Sequence, residues 1–375
     1  MAKFHKIKLW ISIASFMFTL GLGMYMNILP LYIKEITGDA ATVGVVFGIN
    51  NISRAIVTLI AGYLTYRIML RRLFLIGWIF AVLGGLAYAT IPTTLGVLLG
   101  ATLMGLSNLS PTARSSMLLM LAPSRDEFSK AMFTISASFS TGFIIGPPIG
   151  GWMVDTFGWK SVFFTFSALV LLGAILLRFN LPEVEPVPVK SAPISFWETL
   201  KKYTYPFLFI TFVGFTASLL RTTGPLWFQD ELGLSRTMIG TYSSLLPISS
   251  LLISTLTSKW GVTPQRIIKM VSVGFLLSSL LILIPHPYIV PLFYFLRGGS
   301  FILLTISMAL MGTITHHEDT GKVMGLTGTL LALGSSAGMW LSGIAYDISP
   351  IRLFIASAVF SGILIILRVP TAQED

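Results

Sequence analysis

Residues 142–159 read GFIIGPPIGGWMVDTFGW. The stretch is apolar enough to be buried, yet its first ten positions hold four glycines and two adjacent prolines, residues that weaken a helix interior in water. Surrounded by lipid, the same residues take on another meaning. Glycines at four-residue spacing let two helices approach closely, and proline is tolerated where neighbouring groups satisfy the carbonyls it frees. The reading therefore turns on the solvent.

The rest of the chain supplies that solvent. Of 375 residues, 54% are hydrophobic and 11% charged, against about 25% charged in soluble domains. The apolar residues fall in long runs such as LFLIGWIFAVLGGLAYATI (73–91) and SVFFTFSALVLLGAILL (161–177), and roughly 20 such residues cross a bilayer core as a helix. Twelve runs are expected to span: 9–33, 41–66, 73–91, 94–120, 129–154, 161–180, 205–229, 237–258, 267–285, 289–313, 322–345 and 350–368. The first is too long for the apolar region of a signal peptide and lacks a small-residue cleavage site, so it is read as a retained span. The expected fold is all-α and polytopic, with twelve transmembrane helices in two six-helix bundles. Residues 1–180 form the first bundle, the proline-rich 181–203 a linker, and 204–375 the second.

The net charge of +10 is a topology signal and calls for no nucleic acid. With the N-terminus in the cytoplasm, seventeen Lys and Arg fall in inner loops, linker and termini, against four in outer loops (Lys34, Lys160, Arg236, Arg352). This bias places both termini and the linker in the cytoplasm, with the spans in a plasma membrane, or in the inner membrane of a Gram-negative cell.

The two halves superimpose at an offset of 192 residues around the opening stretch. Lys130, Met132, Gly142, Gly146, Gly151 and Asp155 fall on the identical residues Lys322, Met324, Gly334, Gly338, Gly343 and Asp347, and the acidic pair Asp126, Glu127 falls on Glu318, Asp319. A second patch matches at an offset of 195, where PLYIKEITG (30–38) faces PLWFQDELG (225–233). Two same-orientation repeats of six helices are a transporter architecture with its site near the bilayer midplane.

At this point the chain resembles the major facilitator superfamily over essentially its whole length. Gly142, Gly146, Pro147, Gly150 and Gly151 match most of that superfamily's antiporter motif in span five, with Phe133 at its leading glycine, and Gly158, Trp159, Lys160 and Phe163 are typical of the start of span six. The motif between spans two and three appears as GYLTYR (62–67), where Gly62, Leu64 and Arg67 fit and Tyr66 replaces the aspartate. Its counterpart STLTSKWG (254–261) keeps Leu256, Lys259 and Gly261, with Ser258 at the acidic position. Ala101 stands where proton-coupled drug exporters carry a span-four arginine. The resemblance implies a secondary transporter working by alternating access, with spans one, four, seven and ten lining the cavity.

Four basic residues lie within spans: Arg54, Arg114, Arg221 and Arg297. All acidic residues and all four histidines lie in loops or at span ends. An arginine facing lipid costs at least about 2.5 to 3.5 kcal/mol near the helix centre, so these face protein or a wet cavity. Arg54 is close to the midplane, and Arg221 and Arg297 share a depth of roughly 12 Å from the outer ends of spans seven and ten. A guanidinium fork suits carboxylate or phosphate. The expected binding set is these four arginines with Tyr25, Asn27, Asn50, Asn51, Asn108 and Tyr294, against the alternative that the arginines cap freed carbonyls and the other side chains bond between helices.

Arginine stays protonated and no aspartate, glutamate or histidine lies inside the spans, so proton coupling by a side-chain carboxylate is disfavoured. Exchange or efflux of an organic or phosphorylated anion is the expected function, by a functional monomer in the bilayer. The rival is a multidrug or lipid exporter with an apolar cavity; a membrane enzyme or a channel finds less support. With no cysteine, and no histidine or carboxylate within the spans, no cofactor or metal is expected. Gating and packing roles are expected of Gly62, Gly142, Gly146, Pro147, Pro148, Gly150, Gly151, Gly334 and Gly338, with a proline kink in span five at the outer gate. At the inner gate, Asp126, Glu127, Glu318 and Asp319 are expected to pair across the halves with Arg67, Arg71 and Lys259.

Overall fold

The computed structural model describes residues 2–65, 67–185, 196–315 and 320–371. Among them the chain is helical, with no strand. Span one is α1 (Ala2–Met26) with α2 (Leu29–Thr37), span two α3 (Ala40–Leu64) and span three α4 (Leu70–Thr90). Span four divides into α5 (Thr94–Leu106) and α6 (Leu109–Leu121), and spans five and six are α7 (Arg125–Phe157) and α8 (Trp159–Asn180). After the short α9 (Phe196–Lys202), span seven divides into α10 (Thr204–Ser218) and α11 (Thr223–Asp230), and span eight into α12 (Arg236–Ser243) and α13 (Leu245–Lys259). Span nine is α14 (Pro264–Leu281). Span ten is α15 (Ile289–Leu296), a 3-10 segment (Arg297–Phe301) and α16 (Leu303–Ile314), and spans eleven and twelve are α17 (Thr320–Ile348) and α18 (Pro350–Ile366).

Among the described residues, seven helical stretches are long and apolar enough to cross a bilayer, eight when span ten, bent by 40°, counts as one. The other expected spans are helical as well, but α5 and α6 have 13 residues each and α18 has 17.

The chain forms two compact units. The first comprises Met1–Tyr32, Ile56–Lys190 and Ser235–Ser244; the second comprises Ile33–Ala55, Ser191–Leu234 and Leu245–Asp375. Each unit thus takes most of one six-span half and a short piece of the other.

In the first unit, α7 lies against α1 along the glycine face of the opening stretch. A methyl group added at Gly142 would stand 2.2 Å from Thr19 Oγ1, at Gly146 2.5 Å from Leu20 O, and at Gly150 1.8 Å from Met24 O. Farther along α7, Gly151 meets Arg236 O at 2.4 Å in the same sense. Behind this contact sits an aromatic core in which the Tyr25 ring is edge-on to Tyr88, Phe163 and Phe166. Gly158, with φ of 77°, turns α7 into α8 in a conformation that side chains rarely adopt.

The second unit repeats the arrangement. Gly334 and Gly338 on α17 approach Thr211 O and Phe215 O of α10, where added methyl groups would stand at 2.0 and 2.4 Å, and Gly343 approaches Ala40 O at 2.3 Å. The core beside them gathers Phe207, Phe209, Ile210, Val213, Phe275 and Leu310.

The repeat extends to two carboxylates. In the first unit, Asp155 Oδ2 accepts from Thr237 N at 2.9 Å and from its hydroxyl at 2.7 Å, at the start of α12. In the second, Asp347 accepts from Ala40 N at 2.9 Å and Ala41 N at 2.8 Å, at the start of α3. A helix N-terminus presents unpaired N–H groups and a positive partial charge, so a carboxylate is the matching partner.

At the expected proline kink, α7 continues as one assigned helix across Pro147 and Pro148. Proline removes the N–H that would bond the carbonyl four residues earlier. For Pro148 that carbonyl is Ile144 O, and Ser244 Oγ donates to it at 2.7 Å. A neighbouring hydroxyl takes over the missing bond and α7 stays intact.

The glycine contacts predict a contrast. Gly150→Ala should destabilise the protein by about 1 to 3 kcal/mol through overpacking against the Met24 backbone. Gly325→Ala, in a helix with nothing within 4 Å of the added methyl, should be neutral or stabilising. Thermal unfolding in detergent checks both, and equal behaviour of the two variants would contradict the packing account.

Candidate functional site

Three of the four intramembrane arginines lie in the second unit. Arg54 is on α3, half-buried, and engages neighbouring groups. Arg221 is in the turn between α10 and α11, and Arg297 begins the 3-10 segment of span ten. The charge of Arg221 acts on those of both Arg54 and Arg297.

Their surroundings differ. The Arg221 side chain is exposed, although the residues flanking it on both sides are buried, and its guanidinium has no hydrogen-bond or ion-pair partner among the described residues. At membrane depth, an exposed guanidinium without a partner belongs on a wet surface. Arg297 is only 3% exposed. Its Nη2 donates to Ala217 O at 2.5 Å and its Nη1 to Ser278 Oγ at 3.4 Å. The rings of Phe275 and Phe293 flank it at 5.1 and 5.6 Å from Cζ.

Several polar atoms near this turn have no partner. Thr216 Oγ1, Thr222 Oγ1 and Trp227 Nε1 on span seven, and Tyr294 Oη on span ten, are buried and unbonded among the described residues. An unsatisfied buried polar group costs about 1 to 3 kcal/mol. Four on two spans mark a place that is not optimised for packing alone.

The remaining expected residues are distributed more widely. Arg114, in the first unit on α6, stacks over the Phe139 ring at 4.8 Å and leaves a buried Nε unbonded. Asn108 Nδ2 donates to Met104 O and Gly105 O at 3.3 and 3.2 Å, satisfying carbonyls where α5 ends. Asn27 Nδ2 reaches Ser243 Oγ at 3.0 Å, and Asn51 Nδ2 reaches Met339 Sδ at 3.4 Å. Asn50 is half-buried and engaged. Tyr25 departs from the expectation: its ring is 1% exposed and its hydroxyl faces Met104 Sδ at 3.6 Å, so it is a core residue of the first unit.

The expected inner-gate charges are also engaged differently. Lys130 Nζ pairs within its own helix with Asp126 at 2.6 Å and Glu127 at 3.3 Å. Arg71 donates to Leu181 O at 2.8 Å and pairs with Glu183, while Arg67 lies over the Tyr63 ring at 4.8 Å. Tyr66, Glu318 and Asp319 lie outside the described residues. A contact not anticipated from sequence joins Lys34 to Asp230 at 2.6 Å, with Tyr346 Oη donating to the same carboxylate at 2.9 Å. Its only trace was that Lys34 and Asp230 occupy the second matching patch of the repeat.

Comparison with known proteins follows this geometry. Residues 11–339 match the family model described as Major Facilitator Superfamily. Multidrug resistance protein 2 of Bacillus subtilis (strain 168) is 26% identical over 357 residues, covering 88% of this chain and 86% of that protein. Multidrug resistance protein MdtG of Escherichia coli O6:K15:H31 is 25% identical over 375 residues, covering 90% and 89%. Among solved structures, the nucleoside transporter NupG superimposes with a TM-score of 0.76 at 17% identity, covering 96% of this chain and 97% of that one. The POT family transporter PepTSo superimposes with a TM-score of 0.75 at 12% identity, covering 96% and 95%. At these identities the two structures speak to fold alone.

The core placement of Tyr25 gives a simple test. Tyr25→Phe removes only a weak hydroxyl-to-sulfur contact and should leave transport of any substrate unchanged in a whole-cell uptake or efflux assay. A selective loss for charged substrates would return Tyr25 to the binding set.

Proposed function

Because the chain belongs to the Major Facilitator Superfamily, it is a multi-pass secondary transporter of small molecules, and we propose that its substrate carries a negative charge bound by Arg54 and Arg221. The supporting observation is Arg221: exposed, held at membrane depth on a break in span seven, and without an acceptor among the described residues. A guanidinium in that setting is a ready donor pair for a carboxylate or phosphate. Arg54 adds a second positive charge within its field.

In this proposal the mechanism is exchange or efflux by alternating access of residues 1–180 and 204–375. Loading by an anion offsets the repulsion between the two arginines, so the occupied and empty carriers differ electrostatically. Asn27, Asn50, Asn51, Asn108, Tyr294 and Arg114 are the proposed outer contacts of the same route. The termini face the cytoplasm, the carrier works as a monomer in the plasma membrane, and Asp126, Glu127, Glu318 and Asp319 serve the inner gate with Arg67, Arg71 and Lys259.

A second reading is a multidrug or lipid exporter with an apolar cavity, favoured by the names of the multidrug resistance relatives that span nearly the whole chain. The two readings part on charge. In liposomes carrying the purified protein, uptake of anionic, neutral and cationic solutes is compared in the parent and in Arg54→Ala and Arg221→Ala. A charge-assisted hydrogen bond is worth about 1.5 to 3 kcal/mol, so each substitution should raise the half-saturation concentration for an anion roughly 10- to 100-fold. Uptake of neutral or cationic solutes that ignores both substitutions, with no anion uptake in the parent, would establish the second reading.

The gate has its own test. Asp126→Asn with Glu127→Gln should change the transport rate of a carrier that still binds substrate normally; an unchanged rate would reduce these carboxylates to partners of Lys130.

A further inference from the structure

We propose that Arg297 is a positioning residue: its guanidinium replaces a backbone donor in the broken turn of span seven and thereby fixes where Arg221 stands. In a regular helix the Arg221 N–H would bond Ala217 O, four residues back. Here it bonds Ser218 O at 3.2 Å, and Leu219 N bonds Thr216 O at 3.4 Å, so the chain tightens by one residue and leaves α10. Ala217 O loses its donor at a depth where a bare carbonyl is costly. Arg297 Nη2 supplies one at 2.5 Å.

The guanidinium is itself locked in place. Ser278 Oγ accepts from Nη1, and Phe275 and Phe293 flank the plane. The glycines after Arg297 let the 3-10 segment seat closely: a methyl on Gly298 would stand 2.4 Å from Ser249 Cβ, and one on Gly299 2.5 Å from Val271. Nothing in this arrangement offers Arg297 to a solute, since the residue is 3% exposed and its bonds run to protein. If Arg297 is lost, the Arg221 N–H can return to Ala217 O, the turn closes into a helix, and the Arg221 side chain rotates away from its present direction. Any role of Arg297 in transport rests on the reading of Arg221 as the substrate contact, whereas the geometric role stands without it.

The chain has no cysteine, so Arg221→Cys gives the full-length protein a single thiol. In liposomes, its modification rate is measured with the anionic sulfonatoethyl and the cationic trimethylammonioethyl methanethiosulfonates, and compared with that of a single cysteine at the exposed Thr255. Adding Arg297→Gln should shift the rate at 221 about tenfold, the effect of one hydrogen bond on the equilibrium of the turn, and leave the rate at 255 unchanged. Arg297→Lys, which keeps a charged donor, should restore most of the parent rate. Should Arg297→Gln not fold, Ser278→Ala loosens the guanidinium and should shift the rate at 221 in the same direction. Parent rates at 221 in a folded Arg297→Gln, or in Ser278→Ala where that variant alone is read, would overturn the proposal. The two reagents separate this from the anion reading: equal rates for both at 221 would count against an anion site and leave the positioning role intact.

Discussion

The structure depends on one constraint: inside a bilayer, each backbone N–H and C=O must find its partner within the protein. Unbroken helices meet it automatically, but spans one, four, seven and ten are each interrupted at 27–28, 107–108, 219–222 and 297–302. At two of these places a polar side chain supplies the missing donor, Asn108 at the end of α5 and Arg297 at the end of α10. The same need appears at Pro148, where Ser244 serves Ile144 O. Polar residues that look like an overture to a solute are therefore divided between repairing the backbone and remaining available. Arg221 stands in the second class because Arg297 stands in the first.

This division explains what was legible in the sequence. The spans were visible because runs of apolar residues need no knowledge of neighbours. The glycine contacts were visible because the repeat put Gly142, Gly146 and Gly151 on Gly334, Gly338 and Gly343, and the structure places both sets against backbone in equivalent pairs of helices. What the run 142–151 does not show is the partner of the carbonyl that Pro148 frees: Ser244, one hundred residues from Ile144, donates to Ile144 O, and nothing local to the prolines points to it. Tyr25 was similarly opaque, since its burial depends on Tyr88, Phe163 and Phe166 from two other spans. Depth in the membrane could be counted along the chain for each arginine, whereas the direction of the side chain could not.

Charge distribution bears on substrate class in a similar way. Arg54, Arg221 and Arg297 share one unit, and the latter two have no carboxylate among their described partners. The acidic residues for which partners are described are occupied elsewhere: Asp126 and Glu127 by Lys130, Glu183 by Arg71, Asp230 by Lys34. The proposed anionic substrate would meet these arginines with the described acids committed to helix ends and loops.

The paired carboxylates at Asp155 and Asp347 carry a lesson about how such contacts can be found. Asp347 grips the amide nitrogens of residues 40 and 41, and Asp155 grips the amide and hydroxyl of Thr237. At Asp347 the donor half of each bond belongs to the backbone, so the bond itself does not depend on which side chain residues 40 and 41 carry. Correlated change between positions, the usual trail of a long-range contact, has nothing to record there. At Asp347 only the carboxylate is written in the alphabet of side chains, whereas at Asp155 the Thr237 hydroxyl adds a side-chain partner.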